Sequence, residues 1–134
     1  MAKFLKAIIF FVISVLLLIP NFANAKTHVR INNTLADHGL DLTIHCKSKN
    51  DDLGKHVLHH FATYEFAFNP IRFITQRTLF YCSFQWNGAF KWFDIYKEKR
   101  DDCPGNLCSW KVKKDQVCMV TGPTDFNQIC YPYH

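Results

Sequence analysis

The sequence predicts an all-β fold: a small disulfide-bonded antiparallel β-sandwich of about 7–9 short strands, preceded by a cleaved signal peptide. Three observations predict this fold. Apolar and polar residues alternate in several short segments, as they do in strands that bury one face. Turn-forming residues separate these segments at intervals of about ten residues, a spacing typical of sandwiches and barrels. All six cysteines follow an N-terminal export signal.

Residues 1–25 have the pattern of a signal peptide. Two lysines precede a 13-residue apolar run, residues 7–19, and small residues at positions 23 and 25 predict cleavage after Ala25. The alternative is a membrane anchor, but such a run would rise only about 20 Å as a helix, short of the roughly 30 Å hydrocarbon core. We therefore expect residues 26–134 to be secreted into the extracellular space as one domain.

The charge balance indicates neither nucleic acid nor membrane as a partner. The chain has 16 basic and 11 acidic residues, and two of the lysines belong to the predicted signal peptide. The remaining basic residues are interleaved with acidic ones, as in residues 97–102. We therefore expect no nucleic-acid binding, and no membrane insertion once the signal is removed.

The cysteines predict three disulfides, because an even number in a small exported domain is typical of a disulfide framework. They are Cys46, Cys82, Cys103, Cys108, Cys118 and Cys130. Many pairings are possible, and the sequence does not choose among them. A zinc site is the alternative, but no CxxC pair is present and the export route is oxidising, so we expect no metal and no cofactor.

The strands can be predicted in chain order from the alternation. They cover residues 28–32, 40–47, 64–68, 80–86, 90–96, 109–113, 117–120 and 128–131. Residues 47–55 contain one apolar side chain and predict a solvated loop. Asn87-Gly88 predicts a tight hairpin, because both residues tolerate positive φ. Residues 56–62 are expected to form one helical turn at most, and aromatic side chains are expected to fill the core.

Seven sequence blocks occur in an order that is shared with a known family. They are Val29-x-Ile31-x-Asn33-x-Leu35, Ile44-His-Cys-Lys-Ser-Lys-Asn-Asp-Asp-Leu-Gly54, Phe80-Tyr81-Cys82-Ser-Phe84-x-Trp86, Phe93-Asp-Ile-Tyr96, Arg100-Asp101, Cys108-Ser-Trp110-x-Val112 and Cys130-Tyr131. In these blocks the chain resembles the plant self-incompatibility S-protein homologues over nearly all of residues 26–134. Two positions depart from the family pattern, since Asn50 stands where an aspartate is usual and Gln116 where a glycine is frequent.

The resemblance implies a small secreted sandwich with variable hydrophilic loops that acts as a ligand and not as a catalyst. Founding members of the family are made by the stigma and are recognised by a pollen membrane protein, which triggers rejection of self pollen. The resemblance therefore implies a plasma-membrane receptor on another cell as the partner. The implied role is self-pollen rejection or related cell–cell signalling.

Catalytic patterns are incomplete in this chain, so we expect no enzyme and no catalytic residue. His38-Gly39-Leu40 is similar to part of a ribonuclease active-site motif, but the Trp-Pro that should follow and a second histidine motif are absent. His56, His59 and His60 are expected in a solvated bend. His45 is expected to be an exposed histidine without a neighbouring base.

Calcium is the remaining metal to consider, because Asn50-Asp51-Asp52 offers oxygen ligands. Three lysines flank this segment and oppose a divalent cation, so we expect a structural loop held by ion pairs. Asn32 begins an N-glycosylation sequon beside the first strand, and we predict it as the glycosylation site.

Recognition is expected at four loops, residues 47–55, 69–77, 97–107 and 121–127, because rigid strands that present irregular loops commonly bind other proteins. The candidate residues are Lys49, Asn50, Asp51, Asp52, Lys97, Glu98, Lys99, Arg100, Asp101 and Asp102. We favour residues 97–107, where dense mixed charge lies near two cysteines. The alternatives are a cationic secreted defence protein that acts on microbial membranes and a hydrolase of unrecognised type.

Overall fold

The computed structural model describes residues 2–18, 26–36, 39–70, 77–124 and 126–134. Helix α1 (Ala2–Leu18) is followed by nine strands: β1 (Thr27–Asn33), β2 (Leu42–Lys47), β3 (Asp52–Leu58), β4 (Thr63–Phe68), β5 (Leu79–Trp86), β6 (Ala89–Lys97), β7 (Leu107–Val112), β8 (Gln116–Val120) and β9 (Gln128–Pro132). A short 3₁₀ turn, Pro104–Asn106, precedes β7. The predicted cleavage site at Ala25 lies outside the described residues.

The helical part of the described chain is too short to cross a bilayer as an apolar span.

The strands form two sheets, which confirms the predicted sandwich. Sheet A has the order β4-β1-β7-β8-β9, and sheet B has the order β3-β2-β5-β6. The expectation of purely antiparallel pairing is corrected at one place, because β1 and β7 are parallel. Parallel neighbours need a long crossover connection, and here the chain builds all of sheet B between the two strands. Local alternation does not reveal such a pairing.

The core lies between the sheets and consists of the apolar side chains that the alternating pattern predicts to be buried. Val29 and Ile31 of β1 are fully buried, as are Phe84 of β5 and Trp110 of β7. Phe93 of β6 packs edge-on against Trp110, with ring centroids 5.2 Å apart. Since each aromatic side chain buries a large apolar area, a few such layers close a small sandwich.

The predicted loop of residues 47–55 is wrong from Asp52 onward, where β3 begins. The pairing of β2 with β3 shifts between His45 and Lys47, and Gly54 has a φ of 77°. A glycine with positive φ and one extra residue in one strand are the features of a β-bulge. The chain therefore continues as a strand through a segment whose polar composition indicates a loop.

Residues 56–62 contain no helix, which agrees with the expectation of one helical turn at most. The expectation that His56 lies in a solvated bend is wrong. His56 belongs to β3, and the bend that follows is closed by a hydrogen bond from the Ala62 N–H to the His59 carbonyl, 2.9 Å long. Phe61 in this bend has a φ of 65°, and its N–H donates to the Asn33 carbonyl at 2.8 Å.

Three disulfides join the six cysteines. Cys46–Cys82 links β2 to β5, and Cys118–Cys130 links β8 to β9; in both pairs the Cα atoms are 4.0 Å apart. Cys103–Cys108 closes the segment that precedes β7. Two of the disulfides therefore join residues that face each other on neighbouring strands, a relation that depends on register and that cysteine spacing alone does not give.

Candidate recognition surface at one end of the sandwich

The four loops predicted for recognition lie at the same end of the sandwich. In sheet A, Phe68 at the end of β4 pairs with Thr27 at the start of β1. Strand β7 starts beside the start of β1, because the two are parallel, and β8 runs back antiparallel to β7. The loops after β4 and β8 and the loop before β7 are therefore together.

The strands of sheet B place the loop after β2, the loop before β5 and the loop after β6 at the same end. Leu79 at the start of β5 pairs with Lys97 at the end of β6, and β2 ends beside the start of β5. The ring centroids of Phe68 in sheet A and Phe80 in sheet B are 4.7 Å apart. The loops of the two sheets therefore lie at the same end of the sandwich. We call this surface the loop end; it consists of residues 48–51, 69–70, 77–78, 98–106, 121–124 and 126–127. Residues 71–76 and 125 of the predicted loops lie outside the described residues.

The first part of the loop end is the tight turn of residues 48–51. The Ser48 N–H donates to the Asp51 carbonyl at 2.8 Å, and the Asp51 N–H donates to Ser48 Oγ at 3.1 Å. Lys49, Asn50 and Asp51 are exposed. Because the backbone of the turn is closed on itself, these three side chains are displayed from a fixed position.

Asp52, predicted in the same loop, instead begins β3 and forms a pair with His45. Its Oδ1 lies 2.6 Å from His45 Nε2 and accepts a hydrogen bond from the Gly54 N–H at 2.9 Å. The hydrogen bond with His45 and then that with Gly54 hold the pKa of Asp52 below its usual value. The expectation that His45 has no acidic or basic neighbour is wrong, because the bulge turns Asp52 back toward β2.

Arg100 and Asp101, predicted as recognition residues, are structural. The Asp101 side chain is 0% exposed and that of Arg100 is 18% exposed. Arg100 Nε donates to Asp101 Oδ1 at 2.7 Å, and Asp101 Oδ2 accepts the Lys97 N–H at 2.8 Å. The guanidinium carbon lies 4.9 Å from the ring centre of Phe93 and 5.3 Å from that of Trp110. The pair fastens the loop to the aromatic core.

The other charged residues of this loop are placed differently. Glu98 is half-buried and accepts a hydrogen bond from the Thr78 N–H at 3.2 Å, which joins two loops. Lys97 is exposed and lies 3.4 Å from Asp94. Lys99 and Asp102 are exposed, and no hydrogen bond or ion pair involves their side chains within the described part of the chain. With Arg100 and Asp101 buried, Lys99 and Asp102 are the side chains of this loop that are exposed to a partner.

Two open cavities meet at Arg77. One, of about 580 Å³, is lined in part by Glu98, Lys99 and Asp102. The other, of about 680 Å³, is lined in part by Lys49, Asn50 and Asp51. Sequence patterns did not single out Arg77, because an isolated arginine in a polar segment has no distinguishing local signal. The two candidate loops therefore flank one arginine.

A fourth loop completes this end of the molecule. The Thr121 N–H donates to the Asn127 carbonyl at 2.7 Å and closes the loop. Phe126 at its tip is 95% exposed. The sequence predicts this loop for recognition but indicates no particular residue in it. A single phenylalanine in a polar loop is equally consistent with a buried anchor.

Comparison with known proteins now identifies the family. The sequence profile of plant self-incompatibility protein S1 matches residues 28–133. The chain belongs to the plant self-incompatibility protein S1 family. It is 46% identical to S-protein homolog 5 of Arabidopsis thaliana over 102 residues, which cover 76% of each chain. It is 38% identical to S-protein homolog 2 of the same plant over 118 residues, covering 84% of this chain and 71% of that protein.

A solved structure of the same family supports the fold. It is a structure of self-incompatibility protein homologues, described as "a widespread family of small, highly stable, secreted proteins from plants". The two structures superpose with a TM-score of 0.57 over 81% of this chain and 95% of the other, at 18% sequence identity. At that identity the likeness shows the shared fold.

The histidines of this family member do not converge on one site within the described residues. His56 lies 2.8 Å from the Leu53 carbonyl, and its ring stacks on Tyr64. His59 lies 2.8 Å from Asp41, whereas His38 is outside the described residues. No cluster of three or more His, Cys, Asp or Glu side chains is placed to bind a metal in the part of the chain that the structure covers.

The predicted glycosylation site is in the middle of sheet A. Asn32 of β1 pairs with Thr63 of β4 and with Lys111 of β7, and its Oδ1 atom is buried without a hydrogen bond. The next residue, Asn33, is fully buried and donates to the Leu40 and Leu58 carbonyls, each at 2.9 Å. Glycosylation of Asn32 stays a prediction.

Proposed function

We propose that this family member is a secreted, non-enzymatic protein ligand, and that a protein on the surface of another cell recognises its loop end. The observation that carries the proposal is the convergence of all four polar loops on one end of a disulfide-linked sandwich. Irregular loops on a rigid scaffold are a common means of protein recognition. The biological role that we propose is self-pollen rejection or a related form of cell–cell signalling.

The chemistry of the loop end supports a ligand. Lys49 and Asp51 on one loop and Lys99 and Asp102 on another present both signs of charge from positions fixed by backbone hydrogen bonds. Complementary charges on a partner would then set orientation and association rate. The exposed ring of Phe126 adds an apolar contact of the kind that anchors protein interfaces.

Secretion is part of the proposal and rests on three points. The N-terminal 25 residues have the pattern of an export signal, all six cysteines are paired, and a solved relative is described as belonging to a family of secreted proteins. Disulfides persist in oxidising compartments, so this pairing fits an extracellular protein.

The test measures binding of the oxidised, purified domain to plant cell surfaces. The double variant Lys49→Glu/Lys99→Glu reverses two exposed charges of the loop end. The matched control is Lys113→Glu/Lys114→Glu, which makes the same change in net charge in the turn between β7 and β8 at the opposite end. We expect the first variant to weaken binding about tenfold or more and the control to bind as the unaltered protein does.

Proximity labelling with the same domain identifies the partner class. The proposal requires that labelling recover a transmembrane protein and that the Lys49→Glu/Lys99→Glu variant lose this signal. Equal binding by the two double variants, or loss in both, would show that the loop end is not the recognition surface.

A further inference from the structure

The outer face of sheet B has exposed aromatic side chains that the loop end does not include. Phe90 and Trp92 of β6 are 54% and 44% exposed, and their rings meet edge-on at 5.5 Å between centroids. Tyr81 of β5 lies 6.3 Å from Trp92. Large aromatic rings held together in solvent frequently mark a binding surface.

Strand register places polar side chains beside these rings in two rows. Lys55, His45, Ser83 and Trp92 form one row across the four strands, and Val57, Thr43, Gln85 and Phe90 form the next. Since neighbouring strands are about 4.8 Å apart, a row spans about 14 Å. All of these residues except Val57, together with Lys47, line a depression of about 160 Å³.

The depression combines three kinds of group. Phe90 and Trp92 line one side, Lys47 and Lys55 line the other, and the hydroxyl and amide groups of Thr43, Ser83 and Gln85 lie between them. Ser83 is buried, with 9% of its surface exposed. Thr43 and Gln85 are more exposed, and their side chains make no hydrogen bond to any other described side chain or backbone group. They are therefore available to a ligand that carries several hydroxyl groups.

The charge of this face is positive. Lys55 has no ion pair within the described part of the chain, and Lys47 lies 3.9 Å from Asp52. Asp52 does not line the depression; its Oδ2 atom is the one near Lys47, whereas its Oδ1 atom contacts His45 and the Gly54 N–H. No carboxylate lines the depression, so its lysines favour an anionic ligand.

We propose that this face binds an acidic polysaccharide built from uronic acids. Aromatic rings pack against the apolar faces of sugar rings, hydroxyl and amide groups bond to sugar hydroxyls, and ammonium groups pair with the uronate carboxylates. The flat sheet accepts an extended polymer that lies along a row of side chains. None of the eight residues that line the depression belongs to the loop end, so this inference goes beyond the receptor recognition proposed above.

Uronic-acid polymers fit these observations better than nucleic acid does. Tight binding to nucleic acid requires many cationic contacts with phosphate, whereas only two lysines line this depression. The hydroxyl of Thr43 and the amide of Gln85 can bond to sugar hydroxyls, whereas an acidic peptide offers few such groups. Nucleic acid and acidic peptide are therefore competing ligands in the test.

The experiment is isothermal titration of the full mature chain with oligogalacturonate and with the same oligomer after complete methyl esterification. We expect binding of the acid form that weakens with added salt, and little binding of the neutral ester. Trp92→Ala and Lys47→Gln/Lys55→Gln should each reduce affinity about tenfold or more. Phe126→Ala and Lys113→Gln/Lys114→Gln are the matched controls and should bind as the unaltered chain does.

Three results would overturn the inference. They are absence of binding by the unaltered chain, equal losses in the face variants and their controls, and equally tight binding of oligothymidylate or polyglutamate. Circular dichroism checks that each variant is folded. If Trp92→Ala unfolds, the exposed lysine pair decides the outcome alone.

Discussion

At the scale of single residues, Arg100 and Asp101 form a buried ion pair within a segment of charged residues that was expected to be exposed. Residues 97–102 are all charged and contain both signs, a composition that is typical of a solvated loop. Yet Asp101 is completely buried and binds both Arg100 and the backbone of Lys97. The charge pattern does not separate these two residues from Lys99 or Asp102, because their burial depends on Phe93 and Trp110 from distant strands. Arg100-Asp101 is one of the blocks shared with the family, but that match did not indicate burial.

The first prediction concerns this pair. Asp101→Asn should lower the free energy of unfolding by about 3 kcal/mol, because removal of one partner leaves a mostly buried guanidinium without its counter-charge. Urea denaturation followed by tryptophan fluorescence measures the change. The adjacent Asp102→Asn, which alters an exposed carboxylate, is the control and should change stability by less than about 0.5 kcal/mol. Equal effects of the two variants would contradict the structural role.

A second prediction concerns the pH dependence of stability at Asp52. Its pKa is lowered from the usual value of 3.8, chiefly by the hydrogen bond with His45. A carboxyl whose pKa is lower in the folded state contributes stability above its unfolded pKa and loses that contribution as pH falls through the folded value. The unaltered protein should therefore exceed Asp52→Asn in stability near pH 5, and this excess should disappear in stronger acid.

Urea denaturation of both proteins over a series of pH values checks this expectation. The asparagine keeps an oxygen that can accept the Gly54 N–H, so the comparison isolates the charge of Asp52. An excess that grows as the pH falls toward 3.8 would show that the pKa of Asp52 is raised and not lowered.

At the scale of elements, strands with a complete alternation could be predicted and β3 could not. Strand β5 buries Phe80, Cys82, Phe84 and Trp86, and the turn at Asn87-Gly88 joins it to β6 as expected. In contrast, β3 lies at the edge of sheet B, where an edge strand can be polar. Its bulge also breaks the two-residue period on which the prediction depends.

The third prediction tests the bulge. Gly54→Ala should lower the free energy of unfolding by about 1–2 kcal/mol, because a residue with a β-carbon is strained at positive φ. No atom lies within 4 Å of the position that a β-carbon would take, so steric contact adds nothing. Gly54→Asn is the matched variant and should cost less, since asparagine tolerates this conformation. Chemical denaturation compares the two, and equal losses would mean that backbone conformation is not the cause.

At the scale of the whole molecule, the sandwich could be predicted from sequence, and its arrangement in space could not. Alternation and turn residues are local properties, and they led to the correct fold class. The parallel pairing of β1 with β7 and the pairing of Cys46 with Cys82 depend on how distant strands meet. The same long-range arrangement brings the loops after β2, β4, β6 and β8 to one end, which no local pattern indicates.

This arrangement separates two surfaces. The loop end presents mixed charges and the exposed Phe126, whereas the outer face of sheet B presents aromatic rings and lysines. The strands and disulfides between them give each surface a fixed shape, so a ligand on one need not alter the other. Substitutions at Lys99 and at Trp92 should therefore act independently on the two kinds of binding.

Site-specific photo-crosslinking tests the central claim of one-ended recognition most directly. A photoreactive amino acid is placed at position 49, at position 99 or, as the control, at position 114, and the oxidised domain is irradiated on living plant cells. We predict that positions 49 and 99 form covalent adducts with the same membrane protein and that position 114 forms none. Adducts from position 114 alone, or equal adducts from all three positions, would contradict the account.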